Sequence, residues 1–158
     1  METKKVRKIW SRGKRTDTGT WVYGMPLFDW ADCSLKCKNQ HNGELLTFLG
    51  WSDECHEYQE FEVDPSTVGM STGMTTSYDV EIFEGDVCNF TAFAPDGSDM
   101  QFRGVVVYDG SRYMIWKSPE EECFGFYGGF DLDWVLAQDD ELAVIGNVHD
   151  APQLLQQK

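Results

Sequence analysis

From residue 80 onward, apolar segments of four to nine residues alternate with short turn signals rich in Gly, Asp and Pro. Val80–Phe83 is followed by Glu84-Gly85-Asp86, Val87–Phe93 by Pro95-Asp96-Gly97, and Met100–Tyr108 by Asp109-Gly110. Arg112–Trp116 stops at Ser118-Pro119, and Phe130–Val135 and Leu142–Val148 complete the series. Such punctuation leaves no room for long helices. Strands repeating at intervals of about 8–12 residues indicate a small barrel or sandwich. Composition agrees: aromatic residues make up 14% of the chain and Ala occurs only six times, which favours strands over helices. The expected class is mainly β, α+β at most.

The first residues read as a hairpin. Val6, Ile9 and Trp10 lead into the turn cluster Thr16-Asp17-Thr18-Gly19, and Thr20–Tyr23 returns. Residues 25–60 have another character, rich in Asp, Glu, Cys and His, with one apolar run, Leu45–Trp51, after an Asn42-Gly43 turn. The expected organisation is an N-terminal hairpin (1–24), an inserted arm (25–60) and a β core (61–158). Ser66–Ser77 reads as a Gly/Ser/Thr/Met-rich connection. The end reads as a helical turn with Asp150 as N-cap and Pro152 near its start.

Charge limits the partners. The chain of 158 residues carries a formal charge of -14, distributed unevenly. Lys4, Lys5, Arg7, Lys8, Arg12, Lys14 and Arg15 crowd the first 15 residues, and the remaining 143 hold 26 acids and 6 bases, a net charge of -20. A body this negative repels phosphate, so direct nucleic-acid binding through it is not expected. No apolar run reaches the roughly 18–20 residues of a membrane span, and no apolar segment follows the basic N-terminus as a secretory signal requires. A cytoplasmic protein without membrane contact is expected, its five cysteines mostly reduced.

Few motifs carry chemistry. Gly69-Met70-Ser71-Thr72-Gly73 matches G-x-S-x-G, yet an Asp-Pro turn precedes it and poor helix formers follow, so a loop is expected in place of a nucleophile elbow. Cys33, Cys37 and His41 recur every four residues, and Cys55 could complete a Cys3His tetrahedron for zinc. The alternative is a set of free thiols in a variable arm, and no cofactor is expected. The carboxylate groups Asp139-Asp140-Glu141, Glu120-Glu121-Glu122 and Asp131/Asp133 suit acid–base work by type alone, and charge runs generally form solvated faces. Gly125–Gly129 reads as a turn, since the Glu run before it would repel phosphate.

Four segments together resemble the YopX family of phage and prophage proteins. They are Arg12-Gly13-Lys14 through Trp21-Val22-Tyr23-Gly24, Val63-Asp64-Pro65-Ser66-Thr67-Val68-Gly69 with Thr72-Gly73, Glu81-Ile82-Phe83-Glu84-Gly85-Asp86-Val87, and Glu141–Asp150 with Pro152 and Leu154-Leu155. They occur in the family's order. Two departures stand out: Thr76-Ser77-Tyr78-Asp79 replaces an Asn-Gly turn, and Ser71 stands where relatives carry an aromatic. The resemblance implies an SH3-like small barrel in the C-terminal half and an origin in a mobile element. It implies no activity.

The residues themselves explain the signatures as fold-specifying. Gly85 permits a left-handed turn, Asp86 can bond that turn's backbone, and Gly146 marks a bulge or close approach. Asp64, Pro65, Gly69, Thr72, Gly73, Glu84 and Asn147 are expected to act with them. The expected function is non-enzymatic: binding a host or phage protein, with homo-oligomerisation an open option. The alternative is an acidic mimic of nucleic acid that occupies a host DNA-binding or defence enzyme. Elemental analysis of the purified protein is expected to find less than about a tenth of an equivalent of zinc, because ligand spacing outside the usual patterns rarely builds a tight site. A full equivalent would establish the Cys/His arm as a metal centre.

Overall fold

A computed structural model describes residues 10–28, 47–52, 58–93, 96–116, 129–139 and 141–156. The chain is mainly β and divides into two compact units, Met1–Ser71 and Thr72–Lys158. Among the described residues no helix is long and apolar enough to cross a membrane.

In the first unit, β1 (Ser11–Lys14) and β2 (Trp21–Phe28) form the expected hairpin, with Arg12 opposite Tyr23 and Lys14 opposite Trp21. Next come β3 (Thr47–Ser52) and β4 (Tyr58–Val63), each antiparallel to its predecessor. A single 3-10 turn, Pro65–Thr67, leads into β5 (Gly69–Thr75), whose first residues pair with β1. The sheet curls until β4 meets the end of β1. Asp64 N–H donates to the Lys14 carbonyl at 2.8 Å, Thr16 N–H to the Glu62 carbonyl at 3.2 Å, and Arg15 bridges to Val63. Small residues make the curl feasible. A methyl on Gly13 would come within 3.2 Å of the buried Val63 side chain.

In the second unit, which takes in β5 from Thr72 on, β6 (Glu81–Phe83) lies beside that part of β5, Thr72 Oγ1 donating to the Ile82 carbonyl. A five-stranded antiparallel sheet follows in the order β10-β9-β8-β7-β11, built from β7 (Asp86–Phe93), β8 (Asp99–Tyr108), β9 (Tyr113–Trp116), β10 (Phe130–Asp131) and β11 (Ala143–Asn147). Its core gathers Ile82, Cys88, Phe90, Phe102, Val106, Ile115, Leu132, Val135 and Leu142. The Phe90, Phe102 and Phe130 rings lie 5.0–5.7 Å apart, within the range where aromatic pairs add stability beyond their buried area. Gly104 lets β9 pass close, since a methyl there would lie 2.6 Å from Ile115 and 2.8 Å from the Trp116 carbonyl oxygen.

Four expectations change. Among the described residues the C-terminal half shows no closed barrel, with β10 and β11 at opposite edges of the sheet. The segment Phe130–Val135 is not one strand: after Phe130–Asp131 it turns into helix α1 (Leu132–Gln138). Asp131 starts that helix by accepting from Trp134 N–H at 3.3 Å, and Leu132 and Val135, one turn apart, bury against the sheet where a closing strand would otherwise lie. The connection Ser66–Ser77 is largely strand β5, with Gly69, Ser71 and Thr72 buried. Asp150 does not cap the final 3-10 turn, Pro152–Leu155. That position falls to Ala151, and the Asp150 carboxylate accepts from Asn147 Nδ2 at 2.8 Å.

The turn Thr76-Ser77-Tyr78-Asp79 places Asp79 at φ +60°, in the left-handed region that an Asn-Gly turn would supply without a Cβ penalty. Its frame is a pair of backbone bonds, Thr76 N–H to Val80 O at 2.9 Å and Asp79 N–H to Thr76 O at 3.0 Å. Asp79→Gly is therefore expected to raise unfolding free energy by about 0.5–1 kcal/mol in urea titrations. A loss of stability would show that the Asp79 side chain contributes more than its strain costs.

Candidate functional site

The signature residues Glu84-Gly85-Asp86 and Gly146-Asn147 meet at one junction in the second unit. Gly85 adopts φ +81°, a conformation that disfavours any side chain. Its N–H donates to the Val106 carbonyl and its carbonyl accepts from Val148 N–H, both at 2.9 Å. A side chain at Gly85 would also run into the His149 ring, 3.3 Å away. The buried Asp86 carboxylate accepts from Phe83 N–H at 2.8 Å and so closes the turn it ends. Glu84 is half-buried within the same turn.

Across the strand pair, Asp86 aligns with Asn147 and Val87 with Gly146, and the register slips between Val144 and Gly146. The bulge expected at Gly146 is present, and it brings the Leu154 side chain within 2.8 Å of where a Cβ would stand. Asn147 Oδ1 accepts from His149 N–H and Asp150 N–H, fixing the turn after β11. Arg103 fastens the same end, donating to Asn89 Oδ1 at 2.8 Å and to the Leu154 carbonyl at 3.1 Å.

The other signature residues work locally. Asp64 accepts from Ser66 N–H and caps the 3-10 turn that Pro65 opens, and Lys14 N–H donates to Thr67 Oγ1 at 2.8 Å. Gly69 is buried opposite Arg12, Thr72 donates to the Ile82 carbonyl at 2.9 Å, and Gly73 turns at φ +72°. Ser71 lies buried within β5, away from any strand–turn–helix elbow. Cys33, Cys37, His41 and Cys55 fall outside the described residues, as do Glu120-Glu121-Glu122 and Asp140. Among the described residues no group of three or more His, Cys, Asp or Glu could hold a metal.

Of the described carboxylates in the candidate acid–base pairs, Asp131 and Asp139 hold backbone. Asp131 caps α1 and bonds Arg112 at 3.0 Å, and the buried Asp139 accepts from Thr91 N–H and Glu141 N–H. A surface that the motif search did not single out lies at the Tyr108–Tyr113 end of the five-stranded sheet. Trp134 is 44% exposed and stacks on Phe130, while Tyr108 is 52% exposed beside Tyr113. Phe130 stands opposite Ile115 in register, two residues along the same face from Tyr113. Arg112 is held there by Asp131 and Asp109. No spacing rule points to this cluster, because its residues come from four elements and a turn.

Cys88 reports on the junction. Burial, aided by the Asp86 charge, pushes its thiol pKa up to about 12, so almost no thiolate forms at neutral pH. Gly85→Ala is expected to lower stability by about 1–3 kcal/mol through the left-handed φ and the His149 contact. Alkylation of Cys88 at mildly alkaline pH, located by peptide mass spectrometry, should be undetectable in the parent and measurable in the variant. Equal protection in both would refute the junction's structural role.

Comparison with known proteins agrees with this picture. The YopX protein family model matches residues 24–156. No curated protein matches the chain. The crystal structure of protein EF1440 from Enterococcus faecalis is similar at 21% identity and a TM-score of 0.50, over 95% of this chain and 99% of that one. That likeness is one of fold. With the family match covering most of its length and the signature turns in place, the chain belongs to the YopX protein family.

Proposed function

We propose that this protein is a phage or prophage accessory protein that acts in the host cytoplasm by binding another protein, without catalysis. The observation that carries the reading is the aromatic cluster of the second unit. Trp, Tyr and Arg are the residue types that dominate binding hot spots, and here Trp134, Tyr108 and Arg112 meet solvent on a pre-ordered support. Phe130 holds the Trp134 ring and Asp131 holds the Arg112 guanidinium, so little side-chain freedom remains to be lost on binding.

The carboxylates add to this reading. Asp96 and Asp109 each accept from the backbone and hydroxyl of the Ser two residues on, so they serve turns of their own chain. A nucleic-acid mimic would present its acids as a phosphate-like array, and that reading draws on net charge alone.

Incorporation of a photo-cross-linking amino acid at position 134, in host cells making the protein, tests the proposal. A discrete adduct with one partner is expected, and Tyr108→Ala should suppress it. Trp134→Ala should weaken the isolated complex by about 2–4 kcal/mol, roughly 30- to 1,000-fold. Absence of any adduct from positions 108, 112 and 134 would count against the reading. Adducts confined to DNA-binding enzymes and insensitive to Tyr108→Ala would favour mimicry.

A further inference from the structure

The surface around Trp134 has a sign of charge, and that sign narrows the chemistry of what it binds. Two of its carboxylates are already committed. Asp131 Oδ1 caps α1 and Asp131 Oδ2 accepts from the Arg112 guanidinium at 3.0 Å. Asp109 accepts from Ser111 N–H and Arg112 N–H and lies 3.7 Å from the same guanidinium. Arg112 is thus balanced on two sides and would have to break those pairs to serve an acidic partner. Asp133 differs. It stands in the first turn of α1, is exposed, and among the described residues no hydrogen bond or ion pair engages its carboxylate. An acid there suits the helix dipole, but that preference does not call for an exposed Trp beside it.

Trp134 is the next residue. Phe130 backs one face of its indole at 6.1 Å between ring centroids, and 44% of the residue stays open to solvent. A partner that covers this ring also covers the adjoining carboxylate. An apolar segment would leave Asp133 desolvated and unpaired, and an acidic one would add like-charge repulsion. A guanidinium suits both groups at once. It stacks on an indole face, and its planar fork meets a carboxylate through two parallel hydrogen bonds. An ammonium is a point charge and offers no such fork. The negative body of the chain would draw a basic segment in from solution. We infer that the Trp134 face takes a partner segment presenting an arginine, its guanidinium stacked on the open side of the Trp134 indole and bonded to Asp133. The inference rests on the reading of this cluster as a protein-binding surface.

Titration of the isotope-labelled full chain with a short Gly/Ser peptide carrying several arginines tests it. The readout is the indole N–H signal of Trp134, which Trp134→Phe identifies among the six tryptophans. In about 0.1 M NaCl that signal is expected to shift to saturation. Lysines in place of the arginines should weaken binding about three- to tenfold, and Asp133→Asn, a change at an exposed position, by about as much. No shift would overturn the inference. So would a shift that is equal with the lysine peptide and indifferent to Asp133→Asn, which is diffuse attraction to an acidic body, or a tighter response to a leucine- or proline-rich peptide of the same length. A cross-linked partner whose segment at position 134 lacks arginine would overturn the inference and leave the protein-binding reading standing. Absence of any cross-link would strike the reading and the inference with it.

Discussion

One residue holds the second unit's sheet in register at its most demanding point. Gly85 donates to Val106 of β8 and accepts from Val148 beyond β11, so both of its backbone groups tie segments that are distant in sequence. Only a residue without a side chain can do this at φ +81° beside the His149 ring. Asp86, the next residue, locks the turn from within by bonding Phe83 N–H, and it is buried in doing so. The order of β8, β7 and β11 and the position of the C-terminal turn follow from that tie. So does the protection of Cys88, which sits two residues from Asp86 in the core.

The strands that turn chemistry delimits were legible in the sequence. Gly85, Gly97 and Gly110 all turn at positive φ where the Glu-Gly-Asp, Asp-Gly and Asp-Gly signals stand, and the strands between them match their apolar runs closely. Where the signals compete, the reading fails. Phe130–Val135 has strand-like composition, but Asp131 can cap a helix and Leu132, Val135 and Leu136 recur at helical spacing. A capped amphipathic turn won over β-propensity. In β5 the small polar residues Gly69, Ser71 and Thr72 look like loop material, yet they are buried, because close packing favours residues of that size there. The curl of the first unit was invisible, since the Arg15–Val63 bridge joins residues 48 apart. The family signatures were readable as structural elements. The Trp134 cluster was not, because its members are brought together only by folding.

The acidity that dominates the composition acquires a local meaning. Asp64, Asp96, Asp109, Asp131 and Asp139 each accept at least one backbone N–H within three residues. A chain of short strands needs many turns, and aspartate is among the residues best able to organise them. At Asp96 the bonds from Ser98 hold the carboxyl below its ordinary pKa, and at Asp109 those from Ser111 and Arg112 do the same. For a depressed carboxylate, the support it gives is present above the usual carboxylate range and fades as pH falls through the lowered value. Part of the negative charge is thus a by-product of building turns, which removes some of the need to explain it by a partner.

The tie between Gly85 and Val148 also sets an order of events during synthesis. Its two halves lie 63 residues apart, and Arg103 waits in the same way for the Leu154 carbonyl. The β7–β8 hairpin, by contrast, pairs residues close in sequence and carries two of the three core aromatic rings. On a ribosome the hairpin is complete while the segment that will cover its flank is still inside the exit tunnel. The growing chain must therefore carry an unfinished sheet edge until Val148 and Leu154 emerge. Until Val148 and Leu154 are in place, that edge can pair with a neighbouring chain.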